Sequence, residues 1–538
     1  MKKLLAAVLA LVMVLGMVGC SKSAETTETA ETTETAETAQ ATEETASTNE
    51  FLYHAEVSSP YVTLDPSSEY SNGIMVLQNV YETLTHYNAE SQEVESMLAT
   101  DWTSSEDGMT WVFTLRDDVV FHDGSAMTAA NVVNSINRTI DLGQGAAYIW
   151  DSVESIEATG DYEVTFQCAY PAAIDLLCSS AYAAYIMSDS VIDQDSSWFN
   201  EGNDGGSGPY TITQATGDTA VLKAFEDYRG GWSDDQYKNI LIREVPESSA
   251  RRQMMETGEC QLVSDLSSTD LNALKEQTEI VYSYQSETFN NVILFMNSAT
   301  EPCDNVDFRR ALSYAFPYEE MVNEIMEGNA TQSIGTVPDG LWGHNEDGFQ
   351  YSMDLEKAQE YLDASGVDTE GLTLTVSYMP SYTEYASALQ IFQANLKQLG
   401  ITLELMSMEW DQQWAYAQNT NPEDRQDMFL FIWWPDYASP ASWFESCAYT
   451  EEEIVFNLSY ISDPALDAII DEAAILTATD RDAAEALYIE AQDIIADNAY
   501  FMNLYDQMNT YIVSNTIQGV YENPAYSKAV SYYNITKK

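Results

Sequence analysis

The sequence predicts a mixed α/β fold, and three local patterns carry that expectation. Thr110 to Leu115 alternates, with Trp111, Phe113 and Leu115 on one face, which is the period-two signature of a half-buried strand. Thr128 to Ile140 sets Val132, Val133 and Ile136 on one helical stripe, with Thr128 positioned as the N-cap. Tyr385 to Leu399 repeats the helical period through Leu389, Phe392, Leu396 and Leu399. It then passes through Gly400, a left-handed stop, into the alternating strand Ile401–Leu405.

At the N-terminus, Met1-Lys2-Lys3 precedes a 15-residue apolar run, Leu4 to Val18, which ends at Gly19-Cys20. The run is shorter than the roughly 20 apolar residues that span a bilayer, so residues 1–19 read as a signal peptide. Met17-Val18-Gly19-Cys20 resembles the lipobox of bacterial lipoproteins, with Met17 where such boxes more often place Leu. The resemblance implies cleavage before Cys20 and lipidation of its sulfur, and two or more acyl chains anchor stably. The alternative is an ordinary secretory signal with an incidental cysteine. Residues 20–49 are mostly Ala, Thr and Glu, a composition that cannot offset the entropy of folding, and they read as a disordered tether.

Charge excludes more than length does. The 538 residues hold 21 Lys+Arg against 87 Asp+Glu, a formal charge of -66, which repels phosphate backbones and excludes nucleic acid as a partner. A hydrophobic fraction of 45% is enough for a sizeable core, and the length suggests about three domains or one large interleaved body. Four histidines leave little room for histidine-based metal or acid–base chemistry.

In the body, Asp117-Asp118 is expected to turn the Thr110–Leu115 strand into a hairpin with Val119-Val120-Phe121. Asp463-Pro464 opens a helix with an N-cap and an N1 proline, and its stripe is Leu466, Ile469, Ile470 and Ala473. Cys168, Cys178, Cys260, Cys303 and Cys447 are odd in number and widely spaced, so zinc is not expected. They are either partners in one or two disulfides, with Cys168–Cys178 the shortest loop, or buried free thiols. Phe121-His122-Asp123-Gly124 reads as a turn rather than a catalytic His–Asp pair, because no nucleophile motif accompanies it. Gly205-Gly206-Ser207-Gly208-Pro209 lacks the Lys-Ser/Thr of a phosphate cradle and reads as a turn crossing between domains. Asp193 and Asp195 begin something like a calcium loop, but Trp198 stands where the loop needs Gly.

A family resemblance rests on an ordered set of strings. They include Thr63-Leu64-Asp65-Pro66, Val80-Tyr81-Glu82-Thr83-Leu84, Asp107 to Arg116, Val120 to Gly124 and Thr128 to Val133. Gly206 to Tyr210, Phe308 to Ala315 and Leu399-Gly400-Ile401 extend the likeness over nearly all of the body. In order and spacing the chain resembles the family 5 solute-binding proteins of ABC importers, the oligopeptide- and dipeptide-binding proteins. The resemblance implies a two-lobed, hinged periplasmic-binding-protein-like fold of type II with an extra domain inserted in lobe one. Lobe one would comprise 50–93, 207–298 and 505–538, the insertion 94–206, and lobe two 299–504.

The same resemblance directs attention to Asp427 through Pro440, where an apolar strand ends in Trp433-Trp434-Pro435-Asp436-Tyr437. In peptide-binding members a Trp-x-x-Asp-Tyr element supplies a carboxylate for the peptide's α-ammonium and an aromatic wall. Asp436 and Trp433 match those positions, and Trp434 and Tyr437 join them as candidate ligand-binding residues. The plainer readings are a turn aspartate and core tryptophans, since only one of two adjacent strand residues can face a cleft. Ile432, where relatives often have Gly, is expected to narrow the cleft, and Pro435 donates no N–H. Arg425 lies nearby in sequence without an assigned role.

The expectation is a monomeric, lipid-anchored extracytoplasmic component of an ABC importer, without catalytic residues, metal or cofactor. It would deliver peptides to the permease and its ATPase. The alternatives are another solute on the same fold (an oligosaccharide, an opine-like compound or a metal chelate) or a secreted carboxylate-dependent hydrolase.

Overall fold

The computed structural model describes residues 51–526 and 528–538. The leader 1–19, Cys20 and the tether lie outside the described residues.

One eleven-stranded sheet runs through the molecule. In space its strands are Thr402–Ser407, Thr373–Tyr378, Met428–Trp433, Val281–Met296, Phe501–Ser514, Leu262–Val263, Phe51–Glu56, Asn239–Glu244, Thr219–Ala224 and Tyr210–Ala215. Ala330–Thr331 pairs beside Phe501–Ser514. The two longest strands, Val281–Met296 and Phe501–Ser514, are antiparallel partners and serve both ends of the sheet. Residues 281–287 pair with 508–514, the register then shifts, and 291–295 pair with 501–506. A register shift of this kind bends a ribbon locally and increases its twist.

A separate four-stranded antiparallel sheet orders Ala99–Ser104, Thr110–Leu115, Glu163–Cys168 and Val153–Gly160. Trp111, Phe113 and Leu115 are buried on one face as their alternation predicts. The hairpin with Val119-Val120-Phe121 does not form, however. Both edges of Thr110–Leu115 are taken, by Ala99–Ser104 on one side and Glu163–Cys168 on the other. With no edge left, Val120 makes only an isolated bridge to Ala126. Helix Ala129–Leu142 covers this sheet through buried Val132 and Ile136, and Asn131 Oδ1 accepts from the Thr128 N–H at its start.

The remaining helices follow their periodicity. Thr383–Gln398 buries Leu389, Phe392 and Leu396, and Gly400 takes φ 81° before the strand Thr402–Ser407. Pro464–Thr477 starts at Asp463, whose side chain accepts from Ala465 and Leu466 N–H, and it buries Leu466, Ile470 and Ala473. Buried apolar side chains gather in separate clusters rather than one core. The largest spans Phe289 to Tyr505, a second is built from Leu52–Tyr81, Phe199–Ile242 and Tyr511–Ile535, and a third fills Leu84–Ile186. Several cores in one chain are the expected outcome at this length.

Two segments with ambiguous sequence readings prove structural. His122 bonds Asp204 through Nδ1 and the Gly208 carbonyl at 2.9 Å through Nε2, while Asp123 accepts from Ser125 N–H and three serine hydroxyls. His122 and Asp123 thus act apart, each holding a turn. In the glycine run, Gly208 N–H donates to the Val80 carbonyl at 2.9 Å, and a Cβ on Gly206 would lie 2.0 Å from Val80 O. The glycine is needed because two backbones touch there, not because a phosphate does. Asp195 caps the short helix Ser196–Asn200. All five cysteines among the described residues are free and buried, so the disulfide alternative does not hold.

Candidate functional site

Met428–Trp433 is buried along its whole length, as its unbroken apolar run requires of a central strand. It pairs antiparallel with Asn291–Met296 and parallel with Thr373–Tyr378. Trp434-Pro435 then leaves the sheet, since proline has no N–H to continue the ladder. The chain turns through Asp436 into a short helix at Ala441–Trp443. Ser442 fastens this turn: its Oγ accepts from the Asp436 N–H, and its carbonyl accepts from Trp433 Nε1, both at 3.3 Å. Ser180 Oγ adds a bond to the Asp436 carbonyl at 2.7 Å.

The Asp436 carboxylate is thereby fixed at 9% exposure. Tyr70 Oη donates to Oδ1 at 3.1 Å and Tyr148 Oη donates to Oδ2 at 2.6 Å. Among the described residues no Lys, Arg or His forms an ion pair with it. Burial pushes the carboxyl up to about 6, against the pull of the two tyrosine hydroxyls. The same burial and the adjoining carboxylate raise both tyrosines well above their ordinary value, so they remain donors. A desolvated carboxylate held by neutral donors still lacks a counter-charge.

Asp436 stands between two cavities. One, of about 660 Å³, is bordered by Tyr148, Tyr170, Tyr437, Glu445, Tyr449 and Asp471, among others. Glu445 points into it and is pushed up to about 7, first by the surrounding protein and then by Asp471. The other, of about 380 Å³, is walled largely by aromatic rings. Asp436 and Tyr148 border both.

The four residues singled out from the sequence thus come together around these cavities. Asp436 lies at the junction, Tyr437 borders the larger cavity, and Trp433 and Trp434 border the smaller. The expectation that only one tryptophan faces the cavity is corrected, because the strand ends at Trp433 and Trp434 no longer obeys its alternation. Trp433 also packs inward, with ring centroids 6.2 Å from Phe295 and 5.8 Å from Phe456. Ile432 borders neither cavity, so it does not narrow them. Arg425 is turned away, donating to the Asn419 carbonyl at 2.7 Å with its guanidinium 4.3 Å from the Tyr460 ring centroid.

Tyr70, Tyr148, Trp410, Trp414 and Glu445 were not anticipated. The i,i+4 spacing of Trp410 and Trp414 on the helix Trp410–Ala417 was a legible signal. Tyr70 and Tyr148 offered none, since only folding brings them beside a residue some 300 positions away.

A family model described as bacterial extracellular solute-binding proteins, family 5 Middle, matches residues 93–453. The probable D,D-dipeptide-binding periplasmic protein DdpA of Escherichia coli K12 is 28% identical over 495 residues, covering 88% of this chain and 92% of the relative. Among solved structures, HbpA2 of Haemophilus parasuis superposes with a TM-score of 0.78 at 23% identity, covering 91% of this chain and all of that one. DppA of Helicobacter pylori, solved with the peptide STSA, gives 0.74 at 22% identity and covers 90% and 98%. These likenesses establish the two-lobed α/β fold.

Proposed function

The chain belongs to the bacterial extracellular solute-binding proteins of family 5, and from that premise we propose that it captures peptides and presents them to an ABC permease. The observation that carries the reading is the Asp436 carboxylate, buried between Tyr70 and Tyr148 at the junction of two cavities with no ion-pair partner among the described residues. A peptide's α-ammonium supplies the missing charge and exchanges water for a charge-assisted bond. Backbone groups beside Asp436 can then pair with an extended peptide irrespective of its side chains. Relatives named for dipeptides support the solute class.

In this reading 50–93, 207–298 and 505–538 form lobe one, 94–206 the insertion and 299–504 lobe two. The bent pair Val281–Met296 and Phe501–Ser514 serves as the hinge, and closure on the solute creates the form that the permease recognises. Cleavage before Cys20 and its lipidation would tether the body to the membrane through residues 20–49. The protein releases its solute unchanged.

Native mass spectrometry of the protein as purified, followed by incubation with a dipeptide pool, tests this. Retained peptide masses and full recovery of intact dipeptides are expected. Accumulation of free amino acids would make the protein a hydrolase, and failure of every dipeptide to bind together with no peptide mass retained on purification would remove peptides as the solute.

A further inference from the structure

The smaller cavity has a definite chemistry. Its walls include Tyr70, Tyr382, Trp410, Trp414, Trp434 and Phe456, and the charge it meets is Asp436. Trp410 and Trp414 stack with centroids 4.6 Å apart and planes at 23°, and the Phe431 ring lies 4.6 Å from Trp410. Trp410 remains 37% exposed and Tyr148 40%, so these rings present apolar faces to an open space rather than to each other alone. Aromatic faces carry negative quadrupole charge, which attracts cations and repels anions.

The larger cavity is hostile to anions as well. Glu445 and Asp471 border it with Asp436, and among the described residues no Lys, Arg or His borders either cavity. The cation nearest in sequence to the tryptophan segment, Arg425, is engaged elsewhere. Arg481, on a neighbouring helix, is paired with Asp175 at 2.6 Å, and Lys528, whose charge bears on Tyr382 of the smaller cavity, is paired with Asp265 at 3.0 Å.

Resting on the reading above, we propose that this site recognises the ammonium end of its solute together with a large aromatic or aliphatic group beside it, and reads no carboxylate. The ammonium meets Asp436 Oδ1 and Oδ2, and the neighbouring side chain enters the aromatic cavity. Within the two cavities the far end of the solute meets no cation among the described residues, so a free C-terminal carboxylate adds nothing to affinity. Solutes with an acidic first residue are rejected, since that side chain would be desolvated among rings and carboxylates.

Titration of the full chain by isothermal calorimetry, at pH 7.5 and moderate salt, with Phe-Ala, Phe-Ala amide, Gly-Ala and Glu-Ala tests this. Phe-Ala and its amide are expected to bind within about threefold of each other, and Gly-Ala and Glu-Ala on the order of tenfold or more weaker. An amide bound on the order of tenfold more weakly than the free acid overturns the inference, as does Gly-Ala binding as tightly as Phe-Ala. Trp410→Ala should erase most of the Phe-Ala preference while Trp410→Phe keeps it. The four-peptide comparison on the unaltered protein decides the matter even where a variant fails to fold. Binding of all four peptides without either contrast removes this inference alone, whereas no binding by any of them removes the peptide reading with it.

Discussion

Tyr148 Oη donates to Asp436 Oδ2 at 2.6 Å across 288 positions of sequence. This bond ties the short turn Ala147–Trp150, anchored by Trp150 Nε1 on the Ala183 carbonyl at 3.0 Å, to the end of the strand Met428–Trp433. Asp436 is therefore held in place before any solute arrives, so that the ammonium proposed for it would meet a fixed charge rather than a mobile one.

Asp436→Ala is expected to weaken peptides with a free α-amine by about 1–3 kcal/mol or more, the loss of a charge-assisted partner. N-acetylated peptides should bind the unaltered protein poorly and the variant no worse. Calorimetry on the free and acetylated forms of one peptide checks this, and equal affinity of the two for the unaltered protein would refute the assignment.

The same carboxylate weakens the empty protein. Folded, it keeps its proton up to about pH 6, whereas the unfolded chain releases it near the ordinary value of 3.8. The penalty is thus absent below pH 4, grows between 4 and 6, and is full above 6, where it amounts to about 3 kcal/mol. Asp436→Asn should stabilise the ligand-free protein by about 1–3 kcal/mol at pH 7.5 and leave it unchanged at pH 4. Urea denaturation at the two pH values reads this directly, and the same offset at both would count against the buried carboxylate as its source.

On the proposed reading, protons compete with the α-ammonium for Asp436. Peptide affinity should be level above about pH 7 and fall up to about tenfold per pH unit once the carboxyl protonates below 6. A titration series from pH 5 to 8 measures it, and binding that stays constant down to pH 5 speaks against a carboxylate–ammonium contact.

Arg138 grips Asp65 through two bonds of 2.7 and 2.9 Å, and Asp65 is fully buried. Removing one partner leaves the other charge stranded, so Arg138→Ala should destabilise by about 3–5 kcal/mol. Chemical denaturation will show this, and a loss below about 1 kcal/mol would mean that water replaces the guanidinium.

Gly206→Ala drives a Cβ to 2.0 Å from the Val80 carbonyl, and backbone cannot yield as a flexible side chain can. A loss of about 2–4 kcal/mol is expected. Far-UV circular dichroism melting tests it, with an unchanged midpoint as the contrary result.

The sequence specified local structure wherever a short segment decides its own state. Phe392 and Leu396 had to share a helix face, Gly400 had to end that helix, and Met428–Ile432 had to lie inside a sheet. It also singled out Asp436 and Trp433 by motif, because those residues lie three positions apart in one short stretch of chain. The hairpin at Val119–Phe121 failed for a non-local reason: the strand it needed had already given both edges to segments elsewhere. What tertiary structure alone decided is the company of Asp436. Tyr70 and Tyr148 reach it by packing, Trp410 walls the same smaller cavity, and the lack of a bordering cation among the described residues is a property of the enclosed space rather than of a nearby stretch of chain. Periodicity and turn chemistry act over a few residues, while burial and charge balance depend on every segment that closes around a point.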